Sequence, residues 1–190
     1  MFKQWLAIAG IVLSASVSYG QTATVHLDPE KTQVQWTLPD PLHTVKGTFH
    51  MREGNVSYDL KSGMATGSII VDAASGQSGN SSRDSKMQKE ELESTRYPDV
   101  IFRPQHVEGM LNPSASSTLA VSGIFSLHGS DHPLTMNITV QPQQDGVVTA
   151  KTEFQVPYVQ WGIKDPSMFL LRVGKEVKIE ITANGTLALK

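Results

Sequence analysis

The sequence predicts a mostly-β protein built from antiparallel strands, and three observations carry that expectation. Apolar residues recur with period two along most of the chain, turn-forming residues separate the runs, and no strand–helix alternation is present. Period-two alternation gives each strand one dry face and one wet face, the pattern of a sandwich or a barrel. It argues against a parallel, nucleotide-binding sheet. A chain of 190 residues with 39% hydrophobic and 18% charged residues fits one globular domain, and 15 Gly with 10 Pro disfavour long helices.

The first element has a different character. Met1-Phe2-Lys3 supplies a positive start, Trp5 to Leu13 is apolar, and Ser14 to Gly20 are small or polar. That order is a secretory signal peptide, with cleavage expected after Gly20 because Ser18 and Gly20 occupy the two small-residue positions. The apolar run is about half of the ~20 residues a membrane-spanning helix needs; the alternative is a retained N-terminal anchor. Residues 21–190 are then one domain in the periplasm or secreted, with no transmembrane segment. With no cysteine in an oxidising compartment, such a domain relies on its core alone. At ~170 residues folding buries about 70% of the chain's surface, which is enough.

Strands follow in sequence. Val34, Trp36 and Leu38 alternate with Gln33, Gln35 and Thr37, and then Val45, Gly47, Phe49 and Met51 alternate with Lys46, Thr48 and His50. Further on, the same pattern runs through Leu119 to Leu127, Leu134 to Val140, Val148 to Val156, and Val177 to Ile181. Turns are expected at Pro39-Asp40-Pro41, Glu53-Gly54-Asn55, Lys61-Ser62-Gly63, His128 to Asp131, Gln144-Asp145-Gly146 and Asn184-Gly185. Ala73 to Ser82 is Gly/Ser-rich and reads as a break after a strand at 64–72. Ser81 and Asp84 have capping-box spacing, and helix formers continue to Leu92 before Pro98 intervenes. One short helix is expected at about 84–94, followed by a strand at 99–104.

Several chemistries are excluded or weakly supported. Without cysteine there is no thiol nucleophile, cysteine-ligated zinc or disulfide framework. A net charge of −2 offers no footprint for nucleic acid. Gly-x-Ser-x-Gly elbows, phosphate-cradling loops and His-Glu-x-x-His helices are absent. His128 and His132 have ligand-like spacing but flank a turn, and no third ligand is nominated, so no metal is expected. Glu90, Glu91 and Glu93 read as a solvated helix face. Arg83 suits a phosphate head group, or else orders the helix start by pairing with a neighbouring carboxylate. The inward face mixes bulky residues (Trp36, Phe49, Phe102, Phe125, Phe154) with small ones (Ala65, Gly67, Gly123, Ala150). An eight-stranded barrel lined so could be filled or could hold a small ligand.

An ordered series of motifs narrows this. Val45-Lys46-Gly47-Thr48-Phe49, Ser82 to Met87, Tyr97-Pro98-Asp99-Val100-Ile101-Phe102, Gly123 to Gly129 with His132-Pro133-Leu134, and Val177 to Ile181 together resemble the YceI family. The resemblance implies a single extended antiparallel eight-stranded lipocalin-like β-barrel with one short helix and an apolar tunnel. It implies an exported, non-catalytic carrier of a polyisoprenoid lipid or isoprenoid quinone, with neither cofactor nor catalytic residue, as monomer or homodimer. The lining expected from the alternation is Trp36, Val45, Phe49, Ile69, Val71, Phe102, Phe125, Met136, Ile138 and Phe154, with Arg83 as head-group candidate. A different reading is a ligand-free structural or interaction module with a solid core, acting through the apolar stretch 157–171. A metal-assisted hydrolase using the histidines is weaker still. If the leader is cut as expected, N-terminal sequencing of protein exported by its own host reads Gln-Thr-Ala from residue 21; a blocked or intact Met1 indicates the retained anchor.

Overall fold

The computed structural model describes residues 21–39, 44–167 and 173–190. The expected signal peptide lies outside the described residues, as do Asp40 and Pro41 of the first turn and Met168 to Leu171 of the apolar stretch.

Nine strands are present: β1 (Thr22–Leu27), β2 (Gln33–Leu38), β3 (Val45–Asp59), β4 (Ala65–Gln77), β5 (Asp99–Glu108), β6 (Ser117–Leu127), β7 (Ser130–Pro142), β8 (Val147–Val156) and β9 (Val177–Leu189). From β3 to β9 each strand pairs antiparallel with the next. β1 and β2 both lie between β3 and β9, so they are two halves of one stave and the sheet closes as an eight-stave barrel. The break between them is a 3-10 turn at Pro29–Lys31, started by the Asp28 side chain, which accepts from the Glu30 N–H at 3.1 Å. Proline presets the first helical position, and the carboxylate satisfies a donor the turn leaves free.

The alternation read from sequence matches the barrel's inward face on every strand it covered. On β3 the inward set runs through Met51 and resumes at Val56 and Tyr58, because a register irregularity between Met51 and Glu53 shifts the phase. A second irregularity between Pro104 and His106 does the same on β5, where Val107 follows Pro104 on the inside. Such bulges sharpen the bend that closure requires.

Two expected turns are instead strand interior. Glu53-Gly54-Asn55 lies within β3 and Asn184-Gly185 within β9. Both glycines serve close approach: a Cβ on Gly54 would stand 2.8 Å from Leu27 Cβ, and one on Gly185 only 2.1 Å from the His26 carbonyl oxygen. The Gly/Ser-rich stretch from Ala73 is likewise half strand, since β4 continues to Gln77; Gly76 admits the Phe49 ring and the Met87 side chain. β5 also outruns its expected end at 104.

The helix, α1, begins earlier than expected, at Ser81–Lys86, and ends in one π-helical turn at Met87–Glu91. Its cap is Asn80, whose side chain accepts from the Arg83 N–H, rather than Ser81. Asp84 instead reaches back to Ser78, accepting from its N–H at 2.9 Å and from its hydroxyl. At the β6–β7 hairpin, Leu127 pairs with Ser130 across His128-Gly129, with φ of 51° and 75°. Two left-handed residues give the turn whose twist matches the flanking strands.

The barrel thus has two distinct ends. The helix end carries the β4–β5 segment with α1, the β6–β7 turn and the β8–β9 segment. The terminus end carries Gln21, Lys190 and the β3–β4, β5–β6 and β7–β8 connections. Replacing Gly185 with alanine should lower stability by about 1–3 kcal/mol in urea unfolding, the cost of overpacking against backbone; a glycine that merely served a turn at ordinary φ would tolerate it.

Candidate functional site

The barrel interior is not filled. It encloses a cavity of about 160 Å³ whose wall runs from Phe125 and Phe154 near the helix end to Tyr58, Val107, Leu111 and Leu187 at the terminus end. Small residues on the inward rows, Ala150 and Ala183, leave space that larger side chains would occupy. The wall is almost wholly hydrocarbon. Among its side chains only Tyr58 and Thr152 carry oxygen, and the Thr152 hydroxyl is spent on the Asn137 carbonyl at 2.8 Å. The Tyr58 hydroxyl is buried without a partner among the described residues, and burial pushes its pKa up, so it stays a neutral phenol.

Seven of the residues nominated from sequence meet around this cavity: Ile69, Val71, Phe102, Phe125, Met136, Ile138 and Phe154. Cross-strand pairing explains part of the grouping, since Ile69 faces Phe102 and Phe102 faces Phe125. Trp36, Val45 and Phe49 are not among the bounding residues. They share the inward face but sit beyond the cavity at the helix end. There the Trp36 indole covers Gly47, and the Trp36 and Phe49 rings stand 6.5 Å apart. Sequence reasoning missed Val25 and Leu27 on the short β1, and it missed Leu111, which lies in a loop and so shows no periodicity. The alternating rows did contain Val34, Leu119, Val121 and Ile181.

At the helix end the described part of the β8–β9 segment packs inward. Tyr158 and Ile163 are buried there, and Trp161 packs 5.7 Å from Phe125 while the His132 ring lies flat on it at 4.1 Å. The Tyr158 hydroxyl donates to the Gly174 carbonyl at 2.7 Å; burial, with the charges of Asp165 and Glu91, pushes its pKa up to about 12. The described part of stretch 157–171 therefore packs largely inward rather than offering an apolar surface.

The β4–β5 segment is tied down over the same end. Lys164 donates to Glu90 at 2.7 Å, and the His128 ring nitrogen Nε2 lies 3.0 Å from Glu93. The Tyr97 ring stacks obliquely on His128 at 4.6 Å. Arg83 is exposed and directs Nε to the Ser78 hydroxyl at 2.8 Å and a terminal nitrogen to the Ser78 carbonyl at 3.0 Å. It thus orders the helix start, through Ser78 rather than through a carboxylate. Among the described residues no three His, Asp or Glu side chains are placed to share a metal ion.

The acidic run departs from the expected solvated face at one residue. Glu91 is 8% exposed and neither carboxylate oxygen has a hydrogen-bond partner among the described residues. Burial raises its pKa, with Lys86 pulling the other way and Glu90 adding to the rise. Glu91 is the last residue of the π-helical turn and is buried, whereas Lys89 and Glu90 before it are exposed. A carboxyl raised on folding contributes most below its ordinary value and loses that contribution as pH rises through its folded value. Glu91→Gln should therefore raise the melting temperature by about 2–4 °C at pH 7–8, with the gain vanishing near pH 4. Calorimetry across that range checks it.

The geometry has clear relatives. A polyisoprenoid-binding domain from Saccharophagus degradans, described as implicated in plant cell wall breakdown, superposes with a TM-score of 0.70 at 13% identity, covering 86% of this chain and 98% of that one. Burkholderia cenocepacia BcnA gives 0.69 at 17% identity, covering 85% and 99%. A Campylobacter jejuni YceI protein gives 0.55 at 19%, covering 74% and 84%. At these identities the likeness shows the shared fold. No curated protein sequence matches the chain. The model of the YceI-like domain matches residues 26–184, nearly the whole of the barrel from β1 to β9, and the chain belongs to the YceI-like family.

Proposed function

We propose that the protein is an exported, non-catalytic carrier that holds a long apolar chain, a polyisoprenoid lipid or isoprenoid quinone, inside its barrel. The observation that carries the reading is the closed barrel's unfilled interior, lined by hydrocarbon along its length. Each buried CH₂ contributes ~0.8 kcal/mol, so an apolar chain is held without any charged contact; a space of about 160 Å³ takes a short stretch of it, and a longer stretch requires the wall side chains to move apart. Ile69, Val71, Phe102, Phe125, Met136, Ile138 and Phe154 contact the chain, while Trp36, Val45 and Phe49 bound its reach toward the helix. Among the described residues no Lys, Arg or His borders the cavity, so a charged head group stays outside the barrel. Selectivity then rests on tunnel length and width. The polyisoprenoid-binding domain that shares this fold supports the ligand class, and the leader-like residues 1–20 support export.

Native mass spectrometry with lipid extraction, on protein purified from its own host's envelope, should show a stoichiometric isoprenoid adduct. Protein that is reproducibly empty, and that fails to bind quinone or polyprenyl phosphate in titration, overturns the reading. A cavity-filling variant separates binding from folding. Ala150→Phe should weaken quinone binding by about tenfold or more while leaving the melting temperature unchanged or higher, because it fills space rather than displacing neighbours.

A further inference from the structure

The exposed apolar side chains of this barrel are not scattered. Among the described residues four large hydrophobics are exposed: Met64 at 63%, Met110 at 87%, Val147 at 36% and Leu189 at 37%. All four lie at the terminus end. Met64 belongs to the β3–β4 connection, Met110 to the β5–β6 connection, Val147 opens β8 after the β7–β8 turn, and Leu189 ends β9. The β3–β4 and β5–β6 connections thus carry one each, and the start of β8 and the end of β9 supply the other two. Single exposed apolar residues are ordinary on a protein surface, but four gathered at one end of a barrel mark a candidate contact surface.

This group adjoins the cavity. Leu111, next to Met110, contributes to the cavity wall, so one short loop presents one side chain to solvent and its neighbour to the interior. At the opposite end Trp161, Tyr158 and Ile163 pack inward, and Lys164 donates to Glu90 of the β4–β5 segment. Charged side chains at the apolar rim are mixed, Lys61 and Lys190 against Asp59, Glu108 and Asp145, so this face carries no basic patch.

We propose that the terminus end of the barrel is the surface that rests on a lipid bilayer, with Met64 and Met110 entering the interfacial layer and the loop of Leu111 serving as the mouth through which an apolar chain passes. The site deepens the carrier reading and rests on it for its purpose. Unbranched, flexible methionine suits insertion among disordered lipid chains. Four isolated side chains give only weak, reversible attachment, which lets a carrier leave with its load. Because the rim carries no basic patch, attachment gains nothing from anionic lipid and depends little on salt.

The chain has no cysteine, so single labels are easily placed. Met110→Cys, and Ser130→Cys on the helix-end turn, each carrying a polarity-sensitive fluorophore, are mixed with cargo-free vesicles of phosphatidylcholine and phosphatidylglycerol. The expected result is a blue shift at position 110 and none at 130, scarcely altered by salt. Equal shifts at both positions, a shift at 130 alone, or none at either overturns the proposal. In a second measurement, the double variant Met64→Asp/Met110→Asp should slow vesicle-to-vesicle transfer of an isoprenoid quinone by about tenfold, the scale of one lost methionine burial, while still binding quinone in detergent. Transfer at the wild-type rate overturns the proposal; failure of the wild-type protein to bind quinone in detergent overturns the carrier reading and leaves the vesicle result standing.

Discussion

Closure of the sheet through its first stave is the constraint on which the rest of this structure depends. β9 pairs with both β1 and β2, and so does β3; without that double pairing the barrel would be an open sheet with two long edges. Closure leaves the inward face no route to solvent except at the two ends. It demands bending, supplied by the irregularities on β3 and β5 and by the turn at Pro29–Lys31. It also brings β1 tight against its neighbours, which is why Gly54 and Gly185 flank Leu27 and His26.

From closure follows the interior. Inward rows from eight staves converge on a space that their side chains do not fill, and the chain achieves this without a single disulfide. A protein held by apolar packing alone gives up some of that packing to keep a cavity. The loss is offset where the strands are long and continuously paired, as between β6 and β7, which match residue for residue from Ser117 to Leu127. The same trade explains why polar groups are nearly excluded from the wall: each would need a partner that an apolar guest cannot provide. Tyr58 is the exception, and its orphaned hydroxyl marks the terminus end of the cavity.

The two ends are built on opposite principles. At the helix end, aromatic stacking on Trp161, the Glu90–Lys164 contact and the Tyr97 ring against His128 join the described loops. The strain of that arrangement shows in Glu91, a carboxyl buried without a hydrogen-bond partner among the described residues. The terminus end has mixed charge and exposed apolar side chains. Among the described residues, a barrel with inward-packed aromatics at one end and exposed apolar side chains at the other has a direction, even though its sheet is closed.

Much of this was legible in the sequence, because period-two alternation is a local property: it settled the antiparallel β class, the inward identity of Phe102, Phe125, Met136, Ile138 and Phe154, and the turns at Lys61-Ser62-Gly63, His128-Gly129 and Gln144-Asp145-Gly146, where glycine takes a positive φ. Glycine between Asn or Glu neighbours looked the same at 54 and 185, yet there its role is steric, set by β1 arriving from more than 25 residues away or from the far end of the chain. Trp36 and Phe49 carried the correct face but not the correct depth, since depth along a barrel depends on where the partner strands end. Leu111, Glu91 and the rim residues Met64 and Met110 gave no periodic signal at all. Their burial or exposure is decided by loops meeting across an opening, and only the closed tertiary structure makes that opening exist.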